Sequence, residues 1–140
     1  MKQEIADIKS VFDQHWPSNN LIIEELGDHF IRIRQRPKSR TDLRPGGTVS
    51  GPFMMTLVDT ALYAAVLAAT GRKELAVTTS LNINFLNKPH ANTDVIAECN
   101  LLKVGRKLIV GEVSLYSEGN SEPIAHATGT YSVPNPKTKN

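Results

Sequence analysis

Asp59 is the residue whose type and position most clearly suggest chemistry. It is a short carboxylate within the largely apolar run Leu57–Leu62. Aspartate is unfavourable inside a helix because its side chain competes for backbone hydrogen bonds, and a buried carboxylate needs partners. Two interpretations remain open from this pattern. Either Asp59 lies on a solvated stripe of a helix with Met55 and Tyr63 or bonds a nearby threonine, or it takes part in a reaction.

Glycines directly precede the segment that holds Asp59. Gly46-Gly47 and Gly51-Pro52 lie before a predicted helix N-terminus. Such a terminus has unpaired N–H groups and the positive end of the helix dipole, which stabilise developing negative charge as an oxyanion hole does. Gly51 lies two helical turns before Asp59. We therefore expect its amide and the carboxylate to face one carbonyl carbon, which is what acyl transfer to water requires.

The residues that commonly bind metals show no ligand spacing. The single cysteine, Cys99, lies in a predicted strand and fits core packing. No metal site is expected, because the histidines are dispersed. They are His15, His29, His90 and His126.

Length, composition and charge narrow the class of protein. A chain of 140 residues with 40% hydrophobic residues predicts one domain over residues 1–140. The net charge of +2 comes from scattered lysines and arginines, so no nucleic-acid partner is expected. The lone cysteine and the lack of a signal-peptide pattern in Met1–Gln14 predict a cytoplasmic location.

One long helix is predicted to carry Asp59. Pro52 suits the first turn of a helix, Ser50 and Gly51 are acceptable cap residues, and Gly71 supplies a left-handed stop. The apolar residues run almost all round this helix, which predicts burial in a core. Polar interruptions argue against a membrane span, and no membrane partner is expected.

The rest of the chain predicts an α+β fold. An amphipathic helix is expected at Lys2–Gln14, and the alternation in His29–Arg36 predicts a strand with one solvated face. Four strands are expected after the long helix, arranged as a meander with a tight turn at Gly105-Arg106. The strands are Leu75–Phe85, Asp94–Val104, Lys107–Ser117 and Ile124–Val133. The helix would cover one face of the sheet in two layers, with a core from about residue 26 to 134 and a frayed tail from Asn135.

Two motifs resemble a known family. GGTVSGPFMMTLVDTA at Gly46–Ala61 and TTSLNINFLNKP at Thr78–Pro89 resemble the hotdog-fold acyl-CoA thioesterases of the phenylacetic-acid-pathway (PaaI-like) type. The likeness extends from about Gly47 to Val133. It implies a curved antiparallel sheet of five to six strands wrapped around the long helix. It also implies a homodimer or homotetramer, with sheets joined edge to edge and active sites at the subunit interface.

The resemblance implies roles for three residues. Asp59 would be the general base or nucleophile that acts on the thioester, and the Gly51 N–H would polarise the thioester carbonyl. Thr78 would help to place the attacking water. The family commonly has His-Gly-Gly where this chain has Ser50–Pro52, and Arg44 occupies the region of an upstream Asn or Gln. These departures affect the expected substrate preference and rate more than the reaction class.

The resemblance also implies contacts with the substrate, whose coenzyme A portion is the only cofactor expected. Basic residues beside turns suit its phosphates, although such residues serve solubility equally often. Asn82 and Asn84 are expected on the same strand face as Thr78, where they either line the pantetheine channel or are polar neighbours. The full set of expected substrate contacts is Ser50, Pro52, Tyr63, Asn82, Asn84, Lys88, Arg106 and Lys107.

Two other functions stay open from the sequence. The same fold supports hydration or dehydration of a hydroxyacyl thioester. Enzymes of that kind usually pair a histidine with the acid, and no histidine lies within Thr41–Asn87. A non-catalytic acyl-CoA binding module would instead use Asp59 only in a hydrogen-bond network.

Overall fold

A six-stranded antiparallel sheet and a long helix across one of its faces form two layers in the computed structural model, which describes residues 3–38, 41–71 and 73–134. This arrangement confirms the predicted α+β class and the hotdog fold. In chain order the elements are α1 (Ile5–His15), β1 (Ile22–Gly27), β2 (Phe30–Gln35), α2 (Gly51–Thr70), β3 (Val77–Phe85), β4 (Val95–Val104), β5 (Leu108–Ser117) and β6 (Pro123–Ser132). Lys2 and the tail from Asn135 lie outside the described residues.

Helix α2 begins and ends where its sequence signals predict. The Ser50 hydroxyl accepts a hydrogen bond from the Phe53 N–H at 3.2 Å, and Pro52 lies in the first turn. Gly71 ends the helix in the left-handed conformation, with φ of 69°. By length and composition α2 would also suit a membrane span, yet 56% of its most apolar window is buried within the protein. It forms the central helix of the core.

Two glycines allow α2 to approach the sheet closely. Gly111 on β5 and Gly129 on β6 are cross-strand neighbours beneath Leu62. A methyl group added at Gly129 would lie 2.5 Å from Cδ1 of Leu62, and one at Gly111 would lie 2.8 Å from its Cδ2. Carbon atoms at van der Waals contact are about 3.5–4.0 Å apart. The depth at which α2 packs therefore depends on glycine at both positions.

The strand predicted at His29–Arg36 is confirmed as β2, but β1 before it was missed. Strand β1 pairs with β2 at one edge of the sheet, and a bulge between Ile23 and Glu25 interrupts its register. The bulge breaks the period-two alternation by which a strand is predicted. The core also begins earlier than predicted, because Ile8 of α1 is fully buried in the same hydrophobic cluster.

The strands after α2 do not form a simple meander, so that prediction was wrong. The order of strands in the sheet is β1-β2-β4-β5-β6-β3. Strand β3 lies at an edge beside β6, where the Leu86 N–H donates to the Ile124 carbonyl oxygen at 2.8 Å. Periodicity predicts that a segment is a strand but does not identify its partner, which tertiary packing selects.

The turn between β4 and β5 is displaced by one residue from the prediction. The Gly105 N–H donates to the Leu108 carbonyl oxygen at 2.9 Å, so Arg106 and Lys107 are the two central residues of the turn. Gly105 flanks the turn. A methyl group there would lie 2.8 Å from the Leu108 oxygen, so glycine is required for clearance at the flanking position.

Candidate active site

Asp59 lines a cleft of about 830 Å³ between α2, the C-terminal end of α1 and the first residues of β3. Thr56 and Tyr63 of α2 lie on the same lining face, and Tyr131 of β6 contributes from the sheet. The carboxylate is partly buried. Asp59 thus lies on the polar stripe that one interpretation of the sequence expected, and that stripe borders the cleft.

Two hydroxyl groups bind the same oxygen of this carboxylate. The Thr78 hydroxyl donates to Oδ1 of Asp59 at 2.7 Å, and the Tyr131 hydroxyl donates to Oδ1 at 2.6 Å. The Tyr131 hydroxyl also lies 3.2 Å from the main-chain oxygen of Asp59. No residue within the described ranges donates a hydrogen bond to Oδ2. One carboxylate oxygen is therefore held by the protein, and the other remains available to a ligand or to water.

A β-bulge in β3 brings the two hydroxyl groups together. Thr78 pairs with Tyr131 and Ser80 pairs with Thr130, so Thr79 is an extra residue between them. The bulge reverses the alternation of side chains along the strand. Because of that reversal Thr78 faces α2, and Leu81 further along the strand also packs on the core.

The same bulge overturns the prediction for the two asparagines. Asn82 and Asn84 were expected on the face of Thr78, but they pair with Thr128 and His126 and lie on the outer face of the sheet. The Asn84 amide donates to Asn82 Oδ1 at 3.5 Å. Side chains do not alternate strictly along β3, because the extra residue Thr79 lies between Thr78 and the rest of the strand.

The sequence interpretation missed Tyr131. Its side chain is 3% exposed and points to the core side of β6, in alternation with Ala127 and Gly129. Burial, together with the hydrogen bond to Asp59, raises the pKa of the Tyr131 phenol, so the hydroxyl remains a neutral donor. A tyrosine at an inward position of a strand needs a partner for its hydroxyl, and that requirement is the signal that could have identified it.

Gly51 does not reach Asp59 within one chain. Eight residues of α-helix separate them, which corresponds to about 12 Å along the axis. Gly51 lies instead beside the far end of β3, where a methyl group on it would be 3.6 Å from Cζ of Phe85. The expectation that both groups of the same chain face one carbonyl carbon was therefore wrong, because it ignored the rise of the helix.

Three other predicted contact residues lie on or before α2. The buried Ser50 side chain donates to the Thr41 carbonyl oxygen at 3.0 Å in addition to capping α2, so its hydroxyl serves the local fold. Pro52 is exposed in the first turn of the helix. Tyr63 lines the Asp59 cleft, and its hydroxyl donates to the Glu74 carbonyl oxygen at 2.7 Å.

The predicted phosphate contacts lie at the two ends of β3. Arg106 and Lys107 are exposed at the tip of the β4–β5 hairpin. Leu108 and Val77 flank Ser132 in the sheet, which places this tip at the end where β3 begins. Lys88 is exposed beyond the opposite end of β3.

Aromatic rings form one wall of the cleft. The centroids of Phe12 and Trp16 are 5.6 Å apart, those of Trp16 and Tyr63 are 6.0 Å apart, and those of Tyr63 and Tyr131 are 6.1 Å apart. Trp16 follows α1 and is 51% exposed. The wall therefore leads from the end of α1 to the hydroxyl that binds Asp59. Within the described residues no group of three or more His, Cys, Asp or Glu side chains is placed to bind a metal ion.

Comparison with known proteins shows which family this chain resembles. A family model described as the thioesterase superfamily matches residues 46–124. A candidate esterase of Halobacterium salinarum is 32% identical, and the alignment covers 89% of this chain and 87% of that protein. The solved structure of a candidate thioesterase from Silicibacter sp. TM1040 is 42% identical with a TM-score of 0.82, and the match covers 91% of this chain and 89% of that one.

A more distant structure shares the fold. A hypothetical thioesterase of Streptococcus pneumoniae, solved with coenzyme A, is 20% identical with a TM-score of 0.72, and the match covers 86% of this chain and 94% of that one. The family match spans Gly51, Asp59 and Thr78. The resemblance to hotdog-fold thioesterases, first drawn from two motifs, is confirmed at the level of the superfamily. This chain belongs to the thioesterase superfamily.

Proposed function

We propose that this protein hydrolyses an acyl-CoA thioester to a free acid and coenzyme A, with Asp59 as the catalytic carboxylate. The observation that carries the proposal is a carboxylate with one oxygen held by two hydroxyl groups and the other available, in a cleft of about 830 Å³. Clefts of roughly 300–1,000 Å³ are typical of small-molecule sites. The aromatic wall at Trp16 and Tyr63 offers an apolar surface for the acyl group.

The chemistry requires a base or nucleophile and a donor for the oxyanion. In the general-base route, a water oxygen bonds to the thioester carbon while one water proton passes to Asp59. The carbonyl oxygen becomes an oxyanion, which collapses and breaks the C–S bond. The proton on Asp59 then passes to the departing thiolate. In the alternative route, an Asp59 oxygen bonds to the carbon, the C–S bond breaks and the coenzyme A thiolate leaves. Water then hydrolyses the resulting anhydride to the free acid and the Asp59 carboxylate, and a proton from that water passes to the thiolate.

The oxyanion donor is proposed to come from a second copy of the chain. Strand β3 is at the edge of the sheet, and none of its nine residues is buried. Two-fold pairing of β3 with itself would be antiparallel, so the start of one strand would lie beside the end of the other. Phe85 and the adjacent Gly51 of one copy would then approach Thr78 and Asp59 of the other. Each dimer would contain two such composite sites.

The coenzyme A portion is proposed to lie at the same junction. In the antiparallel pair, Lys88 of one copy would approach the end of the sheet that carries Arg106 and Lys107 of the other. Three cations beside a dimer cleft suit the phosphates of coenzyme A. The S. pneumoniae protein of the same fold, solved with coenzyme A, supports a ligand of this class.

Release of free thiol from acyl-CoAs tests the proposal. The substrates are short-chain, medium-chain and aromatic acyl-CoAs, and the proteins are wild type, Asp59→Asn and Asp28→Asn. Asp28 lies in the exposed β1–β2 turn, so its substitution is a matched control. We expect turnover by the wild type and the control, and a loss of roughly 100-fold or more in Asp59→Asn.

Two results would contradict this assignment. No thiol release from any member of the panel, with saturable binding of acyl-CoA, would indicate a binding module. Full activity in Asp59→Asn would show that another group performs the chemistry. Circular dichroism of each variant establishes that a loss of activity does not reflect unfolding.

A further inference from the structure

The two carboxylate oxygens of Asp59 differ in the hydrogen bonds that they accept. Thr78 and Tyr131 donate to Oδ1 at 2.7 and 2.6 Å, and no residue in the described ranges donates to Oδ2. The terminal torsion of an aspartate side chain has only broad preferences, so rotation readily exchanges the two oxygens. Two donors from different strands that converge on one oxygen oppose this rotation.

Tyr131 is the more buried of the two donors. It is 3% exposed on β6, whereas Thr78 is exposed on the edge strand β3. The Tyr131 ring packs near that of Tyr63, with centroids 6.1 Å apart, and its hydroxyl also lies 3.2 Å from the Asp59 main-chain oxygen. The Tyr131 hydroxyl therefore contacts both the main chain and the side chain of Asp59 in α2.

The phenol suits a fixed donor better than an acid catalyst. Burial raises the pKa of Tyr131, and the hydrogen bond to Asp59 raises it further. The hydroxyl therefore keeps its proton at neutral pH. The donor and the acceptor keep the same roles throughout a catalytic cycle.

We propose that Tyr131 is a positioning residue, which with Thr78 holds Oδ1 of Asp59 so that Oδ2 is the oxygen that reacts in the thioester hydrolysis proposed above. A carboxylate held in one orientation meets water or a carbonyl carbon at a fixed angle, which lowers the entropic part of the barrier. This role acts on turnover more than on substrate binding. Tyr131 need not touch the substrate.

Steady-state kinetics of Tyr131→Phe test the proposal. We expect kcat to fall by roughly 10- to 100-fold, the range for loss of a hydrogen bond to a charged group, while KM stays within about twofold. Thr78→Val should act in the same direction, and Thr78→Ser, which keeps a hydroxyl, should recover most of the lost activity. Tyr116→Phe is the matched control, since Tyr116 is a half-buried tyrosine of β5 that does not line the cleft.

The ¹³C signal of the Asp59 carboxyl group provides a readout that does not depend on turnover. The signal is assigned by its absence in Asp59→Asn. It should shift in Tyr131→Phe and remain unchanged in Tyr116→Phe. If the wild type hydrolyses no acyl-CoA, the proposed function fails, while the carboxyl signal still reports whether Tyr131 holds Asp59.

Two results would overturn the role of Tyr131. An unchanged carboxyl signal or an unchanged kcat in Tyr131→Phe would show that its hydroxyl does not position Asp59. A lower Tm, with a fall in kcat that only matches the loss of folded protein and an unchanged carboxyl signal, would assign Tyr131 to the stability of the fold alone.

Discussion

Asp59, Ser50 and Cys99 each lie at least partly within the protein, and each has a different kind of partner: side-chain hydroxyl groups, backbone groups or apolar neighbours. Asp59 retains a carboxylate at the border of an apolar helix because Thr78 and Tyr131 bind one of its oxygens. Ser50 is buried with both hydroxyl functions used by the backbone. Cys99 is fully buried in the core, which confirms the packing role predicted for it. Partner geometry thus distinguishes the candidate catalytic carboxylate from residues that serve the fold.

The Cys99 thiol provides a pH prediction at the residue scale. Burial, and to a smaller extent the nearby Glu112 carboxylate, raises the pKa of Cys99 from 9.0 to about 12. A folded pKa above the unfolded value stabilises the fold fully below the unfolded pKa, and this contribution is lost as pH rises from 9.0 towards 12. Urea unfolding should show a smaller decrease in stability over this range for Cys99→Ala than for wild type.

The same thiol should resist modification in the folded protein. A disulfide reagent at pH 8 should label native protein only very slowly and should label one equivalent after denaturation, because the thiolate is the reactive form. Rapid labelling of native protein would contradict the burial of Cys99. Slow labelling also means that the protein adds little background to the thiol-release assay.

At the scale of elements, the packing of α2 against β3 and β6 brings the residues of the candidate site together. The close approach of α2 to the sheet brings Asp59 within hydrogen-bond distance of Tyr131. That approach requires Gly111 and Gly129 beneath Leu62. The bulge at Thr79 then turns the start of β3 towards the same point. Packing and catalytic geometry therefore depend on the same contacts.

Substitution of Gly129 tests this dependence. The new methyl group of Gly129→Ala would lie 2.5 Å from Leu62 Cδ1, so α2 must move outward. We expect the free energy of unfolding to fall by roughly 1–3 kcal/mol, as for other overpacked cores, with reduced kcat in the protein that remains folded. Gly27→Ala is the control, because its methyl group would lie 3.6 Å from Phe30 Cβ, and it should change stability by about 0.5 kcal/mol or less. Equal stability of the two variants would refute the close-packing role.

At the scale of the whole molecule, the sheet order leaves the reactive strand at an edge. Strand β3 carries Thr78 at one end and lies beside Gly51 at the other. In the proposed mechanism, a single chain would therefore present two halves of a site at opposite ends of one strand. Unpaired edges also expose backbone groups that a second strand can bind. Antiparallel pairing of β3 with a second copy of β3 would bond the unpaired backbone groups of this edge and would also complete the proposed site.

Mixing of two inactive variants tests the composite site. Gly51→Pro removes the proposed donor N–H, while proline is tolerated in the first turn of a helix and the extended Ser50 suits a following proline. Refolding Gly51→Pro chains with Asp59→Asn chains should restore about a quarter of wild-type activity. Half of randomly paired dimers are mixed, and each mixed dimer contains one intact site.

A matched mixture provides the control for this experiment. Asp59→Asn chains refolded with chains that carry both substitutions have no intact site in any pairing and should stay inactive. If the first mixture also remains inactive although sedimentation shows dimers, Gly51 of one chain does not serve Asp59 of the other. A monomer in solution would exclude the proposed pairing.

The sequence by itself determined the family and every element except β1, because these features depend on local signals. Ser50, Pro52 and Gly71 define the limits of α2 through capping and backbone conformation, and alternation predicted four of the later strands. The motifs around Asp59 and Thr78 identified the superfamily. These features are encoded over a few neighbouring residues, so they can be predicted from one chain.

Only the tertiary structure decided which residues meet. It placed β3 beside β6 at an edge, added β1, and inserted the bulge that brings Thr78 and Tyr131 to one oxygen of Asp59. It also moved Asn82 and Asn84 to the outer face and separated Gly51 from Asp59. Strand partners and bulges depend on packing between distant segments, and one inserted residue reverses every side chain beyond it. The periodicity of a single strand does not reveal its partner strand or the position of a bulge.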